Sequence, residues 1–537
     1  MVAASFRTVA IPHAIPANHA LAPFDEVGHG NPDRMTSIWL HDARPPTFPP
    51  LDPGRRIDTA VVGGGITGLV TALLLAEEGI EVAVLEADRL GGVTTGHTTG
   101  KISLLQATRA SRIRTVHDDR VLRAYLDANR EAKQWLLRYC ADHGIPVQTA
   151  PAYTYAQTER AVPILRAELE ATRKAGLPTE FVTDLNVPFP HCGAVRLDGQ
   201  AQFDAMDAIA ALARDLDARG VPVFEHTRVR GLRREGDRQI LDTEHGDLTA
   251  HTVVLATGTP ILDRGGFFAR LEPQRSYAAA FTVPGDFPTG MYISADAPVR
   301  TLRPIPTDRG DLLLVGGTGH GVGRTERARA HADDVVRWTQ RHFPGAEPVF
   351  RWSAQDYHPI AELPYVGPLL PWNDRVLVAT GFAKWGLTNG VAAARALVGR
   401  LTGKPPRWAD TFASWQPREL AGALTAMKAN GAVALHLSSG WLGFGIRDAL
   451  RRDGPPADGE GRVERSGLAP VGVCTAFGAT HRVSAVCPHL GGILTWNDAE
   501  MSWDCPLHGS RFRHDGTLLE GPATRSLRAA DEPRDHD

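Results

Sequence analysis

Residues 57–86 hold a pattern that few backbones accommodate. An apolar run, Ile57–Val62, leads into Gly63-Gly64-Gly65-Ile66-Thr67-Gly68, then the helical stretch LVTALLLAEEG, then a second apolar run ending at Glu86. Gly63 permits a tight turn, Gly65 lets the backbone approach a bound group, and Gly68 lets the helix pack on the strand. This is the glycine spacing of a dinucleotide-binding βαβ unit. The helix start, with Ile66 and Thr67 in its first turn, turns unpaired N–H groups toward a pyrophosphate. Glu86 stands at the tip of the second strand, where a carboxylate accepts ribose hydroxyls. An acid there disfavours a 2′-phosphate, so FAD or NAD fits better than NADP.

The chain has 537 residues, enough for two or three domains with cores of their own. Its net charge of −3 carries no electrostatic footprint for nucleic acid. The first twenty residues lack a basic start followed by an apolar run, and Arg55-Arg56 precedes a strand, not an export segment. Leu420–Phe444 leans apolar but contains Lys428, Asn430 and His436, which suits an amphipathic helix and disfavours membrane contact. Five cysteines are too few for a disulfide framework and favour a reducing, cytoplasmic setting. Cys140, Cys192 and Cys474 stand alone and read as small buried hydrophobes.

Cys487 and Cys505 differ. They belong to Cys487-Pro-His489-Leu-Gly491 and Cys505-Pro-Leu-His508-Gly509-Ser510, one Cys and one His in each loop. Two thiolates on one iron and two imidazoles on the other is the ligand division of a Rieske [2Fe–2S] centre. Zinc also accepts two Cys and two His, but zinc fingers group like ligands together. The late Gly521-Pro522-Ala523 turn resembles the Rieske proline loop. High-potential respiratory Rieske proteins carry extra cysteines and a Tyr where this chain has Gly492, Leu507 and Phe512. Fewer hydrogen bonds to sulfur imply a potential below the respiratory type.

Beyond Glu86 the chain reads Ala87-Asp88-Arg89-Leu-Gly-Gly-Val-Thr94-Thr95-Gly96-His97-Thr98-Thr99-Gly100. This resembles the FAD-lining loop of the D-amino-acid/glycine/sarcosine oxidase superfamily. Two later strings fit the same resemblance. Thr227-Arg228-Val229 with VVLATGTP, including Thr257 and Gly258, resembles the adenine-contacting strand and the returning turn. RVLVATGFAKWGLTNG, including Gly381, Trp385, Gly386 and Thr388, resembles the last FAD segment. The resemblance implies FAD, held at these positions together with Arg89, Thr95, His97 and Thr98. In one branch of the superfamily a His at the His97 position carries the flavin covalently. The flanking residues differ here, so a covalent bond and a neutral neighbouring His both remain open. With the cluster motif, the layout is similar to DadA-like FAD-dependent oxidoreductases bearing a C-terminal Rieske domain.

The expected fold is therefore α/β plus all-β. An N-terminal arm (1–50) precedes an oxidoreductase region (51–410). Its FAD-binding parts are 51–115, 200–265 and 370–405. They interleave with an antiparallel-sheet substrate domain at 116–199 and 266–369. A helical linker (411–455), a Rieske domain (456–528) and a charged tail (529–537) follow. The glycine run LLLVGGTGHGVGRTE (312–326) fits no GxGxxG register and is expected to be a substrate-domain turn, so no dedicated NAD(P)H site is seen.

The implied activity is oxidation of a small-molecule amine or amino acid at its C–N bond. Electrons then pass singly from flavin to cluster and on to an external acceptor: ferredoxin, quinone, cytochrome or O₂. Glu272-Pro-Gln-Arg275-Ser-Tyr277 resembles a P-x-R-x-Y strand of the D-amino-acid dehydrogenases. It makes Arg275, Tyr277 and Gln355 the candidate substrate-handling residues, with Arg275 as a carboxylate clamp. The alternative is an electron-relay protein without a substrate of its own. A Rieske oxygenase is not expected, because few residues follow His508 where such enzymes carry a mononuclear iron domain.

Overall fold

The computed structural model describes residues 35–308, 310–416, 454–467 and 469–530. The expected arm up to residue 34, the expected linker helix from 417 to 453 and the tail from 531 lie outside the described residues. From Met35 onward the arm is packed. Ile38 and Trp39 are buried, and Trp39 lies under Arg303, whose guanidinium carbon is 5.0 Å from the ring.

In chain order, β1 (Arg56–Val62), α1 (Ile66–Glu77) and β2 (Val82–Leu85) form the opening βαβ unit. The chain returns to the same sheet as β3 (Gly246–Leu255). It then builds β4 (Leu271–Thr282), β5 (Leu312–Gly321), α2 (Ala328–His342) and β6 (Glu347–Pro359). It re-enters the first sheet as β7 (Asn373–Thr380), followed by α3 (Gly386–Thr402).

The first sheet has eight strands, with β7, β3, β1 and β2 side by side and parallel. Toward their C-terminal ends these strands become buried apolar runs (residues 60–62, 82–85, 253–255 and 376–379) because both of their faces are covered there. The second sheet has nine strands, mostly antiparallel, with β6, β4 and β5 adjacent at one edge. One internal pair, Met291–Ser294 with Val147–Tyr155, is parallel. The glycine run expected to be a turn is instead mostly strand β5, and it turns only after Gly321. A Cβ on Gly317 would meet the Val299 carbonyl oxygen at 2.0 Å, so those glycines serve strand-to-strand approach.

The C-terminal part is a small all-β unit of three- and four-stranded sheets. Its core holds Trp496, Trp503, Phe512, Leu494 and Leu507 beside Cys487 and Cys505. Cys140 and Cys474 are buried and Cys192 is half-buried, all as free thiols.

Candidate functional site

The βαβ glycines act as their spacing demands. A Cβ on Gly63 (φ +112°) would sit 2.5 Å from the Ala256 carbonyl oxygen, and one on Gly68 would sit 1.9 Å from that of Gly63. At Gly65, which caps α1, a Cβ would meet only Thr95 Oγ1, at 3.1 Å. The mouth of the helix is therefore open to a phosphate. Thr95 Oγ1 accepts from the Ile66 N–H at 3.3 Å. Glu86 accepts from the N–H of Gly64 at 2.6 Å and of Asp88 at 2.9 Å. Burial raises its pKa against those two donors. Arg89 lies exposed beyond the tip of β2, and Val229 is buried at the start of its strand.

The turn Thr257-Gly258 at the end of β3 is tied to β7, because the Gly258 carbonyl accepts from Thr380 Oγ1 at 2.5 Å. Gly381 (φ +78°) turns the chain toward α3, which Trp385 caps and Gly386 opens. Thr388 Oγ1 in its first turn accepts from Gln106 at 3.1 Å. A Cβ on Gly390 would lie 2.5 Å from Thr67 Oγ1, so the starts of α1 and α3 meet closely. The two positive helix ends suit a pyrophosphate and an electron-rich ring edge. His97 pairs its Nδ1 with the Val93 carbonyl at 2.7 Å, and its own carbonyl accepts from Trp352 Nε1 at 2.9 Å. Burial depresses the His97 pKa, which favours neutral imidazole. The Thr98 carbonyl accepts from Trp39 Nε1 at 2.6 Å.

The four cluster residues also come together. Cys487 and Cys505 are buried, and the rings of His489 and His508 stand 5.0 Å apart at 87°. Hydrogen bonding from the Cys505 thiol pulls the Cys487 pKa down, while the same contact and burial raise that of Cys505. Nδ1 of His489 and both ring nitrogens of His508 are buried without a hydrogen-bond partner. Orphaned buried nitrogens are costly in a protein and are the form a metal ligand takes. Burial pushes His508 down to about 3, keeping it neutral. A two-plus-two division over a diiron cluster fits this donor set better than a single zinc. Ser510 Oγ, which accepts from the Ala523 N–H at 3.0 Å, lies within hydrogen-bonding reach of the Cys487 thiol.

The two halves share a buried junction. Arg275 Nε and Nη2 donate to both oxygens of Glu500 at 2.5 Å, and its Nη1 donates to Glu520 at 3.2 Å. Arg511 bonds the same two glutamates and Asp504. Burial alone would raise the pKa of Glu500, but the two guanidiniums outweigh it and hold the carboxyl well below its usual range. Gln355 Nε2 donates to the Gly509 carbonyl at 2.8 Å, and the Gln355 carbonyl accepts from Thr94 Oγ1 at 2.9 Å. His489 Nε2 hydrogen-bonds Asp263, and Phe268 stands edge-on to His508 at 5.5 Å.

Residues 58–400 match the family described as FAD dependent oxidoreductase (DAO). The chain belongs to that family. Residues 460–531 match the Rieske [2Fe-2S] domain. This oxidoreductase therefore binds FAD in its first part and a [2Fe–2S] cluster in its second. It is 30% identical over 506 residues to YhfW of Bacillus subtilis (strain 168), named for a Rieske 2Fe-2S iron-sulfur protein, covering 92% of this chain and 97% of that one. A 49-residue stretch is 47% identical to the chloroplastic cytochrome b6-f iron-sulfur subunit of Oryza sativa subsp. japonica, 9% of this chain and 22% of that one. Its fold is similar to glycine oxidase from Geobacillus kaustophilus, with TM-score 0.58 and 20% identity over 67% of this chain and 99% of that one. It is also similar to L-proline dehydrogenase from P.horikoshii, with TM-score 0.55 and 18% identity over 68% and 98%.

Within this FAD-dependent oxidoreductase the three residues expected to handle substrate, Arg275, Tyr277 and Gln355, are each engaged by partners inside the protein. Arg275 spends its planar fork on Glu500 and Glu520, so its carboxylate partners are internal, not a substrate's. Tyr277, two residues along the same strand, is buried with its hydroxyl 3.1 Å from His320 Nε2. Gln355 faces Arg275 across the β4–β6 ladder and reaches the cluster loop. The alternate residues of β4, Gln274 and Ser276, line a cavity of about 890 Å³ with His331 and Lys384. Strand side chains alternate faces, and P-x-R-x-Y does not reveal which face meets the cavity. Lys384 (φ +72°) donates to Ser276 Oγ at 2.7 Å, and its backbone N–H bonds the Asp356 carboxylate. Desolvation lowers its pKa against the charge of Asp356. The sequence alone did not single out Asp263, which sits in no motif, or Ser276 and Lys384, which occupy unspecified positions within the strings that surround them.

Proposed function

We propose that this oxidoreductase removes two electrons and two protons from the C–N bond of a small amine or amino acid, leaving an imine. Its own Rieske cluster then carries the electrons away one at a time to an external acceptor. Bound FAD supplies the acceptor for the hydride leaving carbon; the second proton leaves from nitrogen. The observation that carries this reading is the junction in which buried Gln355 and the more exposed Asp263 of the oxidoreductase part touch the two cluster loops. Ferredoxin, a quinone, a cytochrome and O₂ are the acceptor classes compatible with a one-electron centre. The 890 Å³ cavity, with Lys384 and, at its rim, Arg327 and Arg337, favours a substrate bearing a carboxylate. Lys384 and Ser276 orient it, and His97 stands as a neutral neighbour of the flavin.

Anaerobic mixing of the holoprotein with a panel of amino acids, amines and alcohols tests this. Flavin bleaching followed by loss of the cluster's visible absorbance is expected with an amino acid. If nothing in the panel bleaches the flavin while a ferredoxin reductase reduces it, the chain is an electron relay and the proposal falls.

A further inference from the structure

The side chain of the cluster ligand His489 is buried, and its outward nitrogen is satisfied from the other domain by a half-exposed carboxylate. Nδ1 has no partner and is free for iron, while Nε2 is hydrogen-bonded to the carboxylate of Asp263. Asp263 lies five residues after Gly258, in the segment that joins the cofactor-side turn at the end of β3 to the turn Phe267–Ala269. That segment thus touches the FAD cradle at one end and a cluster ligand at the other. Three further contacts fix the second cluster loop, residues 505–510, onto the same oxidoreductase region. Gln355 bonds the Gly509 carbonyl, Arg324 donates to the Pro506 carbonyl at 3.3 Å, and Phe268 packs against His508. The Arg324 charge is itself answered by Glu272, at 2.8 Å.

A carboxylate that accepts the remote N–H of a ligating imidazole fixes the ring's tautomer and orientation and makes it a stronger donor. Its negative charge also opposes an added electron on the cluster. We propose that Asp263 is a positioning residue of the FAD domain that orients His489 and holds the cluster's reduction potential below the value the Rieske domain would set alone. The flavin-bearing part of the chain thereby sets both the seat and the poise of its electron partner. The importance of this for turnover rests on the function proposed above; the effect on the cluster does not.

The test is a redox titration of full-length Asp263→Asn and wild-type holoprotein at one pH, read by electron paramagnetic resonance of the reduced cluster. The Asn variant should hold its electron at least tenfold more tightly, a rise of about 59 mV for one electron. Its spectrum should change, the flavin midpoint should stay put, and Asp263→Glu should restore most of the wild-type value. Should Asp263→Asn lose iron, Asp263→Ser removes the same charge with a smaller side chain; iron loss from both with FAD retained supports the positioning role. A fully loaded Asn variant whose cluster midpoint and spectrum match wild type overturns the proposal. If light-reduced flavin fails to share electrons with the wild-type cluster, the functional reading fails while the Asp263 shift stands.

Discussion

Arg275 illustrates how one side chain can look like a substrate clamp and serve another purpose. Its fork meets Glu500 bidentately inside a buried set that also holds Glu520, Arg511 and Asp504. Removing one partner of such a set leaves charge buried without an answer, which costs about 3–5 kcal/mol. Arg275→Met should therefore destabilise the holoprotein by about that amount in urea denaturation, with little effect on how it discriminates among substrates. Glu500→Gln supplies the pH signature. The folded Glu500 carboxyl is held below its unfolded value of about 4.3, so its contribution is full above that pH. The wild type's advantage over Glu500→Gln should stay constant above about pH 4.3 and shrink as pH falls through the depressed folded value. An advantage that grows on acidification would show that the carboxyl is not held ionised.

At the scale of elements, strand β5 and the turn after it explain a glycine run that matches no phosphate loop. Gly323 has φ +64°, and a Cβ there would approach the Pro506 nitrogen to 2.6 Å and the Asp504 carbonyl oxygen to 2.8 Å. Gly509 (φ +79°) makes the reciprocal approach, with Pro273 at 2.7 Å and Gln355 Nε2 at 2.8 Å. Gly323 lets backbone meet backbone, and Gly509 lets backbone meet the Pro273 and Gln355 side chains, where the two domains dock, a role that no spacing rule in either motif encodes. Gly323→Val should push the cluster loop off the FAD domain and leave the βαβ cradle intact. We expect normal FAD content and electron exchange between flavin and cluster slowed at least tenfold, read by flash photoreduction. An unchanged rate would show that the loop tolerates a side chain at this contact.

For the whole molecule, FAD takes two electrons and the cluster one, so anaerobic dithionite should deliver three electrons per chain before excess reductant accumulates. An endpoint of two would mean that the cluster is absent or cut off. The described residues include no helix long and apolar enough to cross a membrane. Much of this architecture was legible in the residue string. Gly63, Gly65, Gly68 and Glu86 announce a dinucleotide cradle because backbone sterics and helix-end electrostatics admit few alternatives at that spacing. Cys487, His489, Cys505 and His508 announce a cluster because ligand chemistry constrains residue type and loop position together. These are local codes, carried by residues near one another in the chain. What only tertiary structure decided is long-range: which face of β4 meets the cavity, that Arg275 answers Glu500 across 225 residues, and that Asp263 reaches His489 across 226. Such contacts depend on how two independently coded domains dock, and docking is set by packing and charge complementarity that no single segment carries.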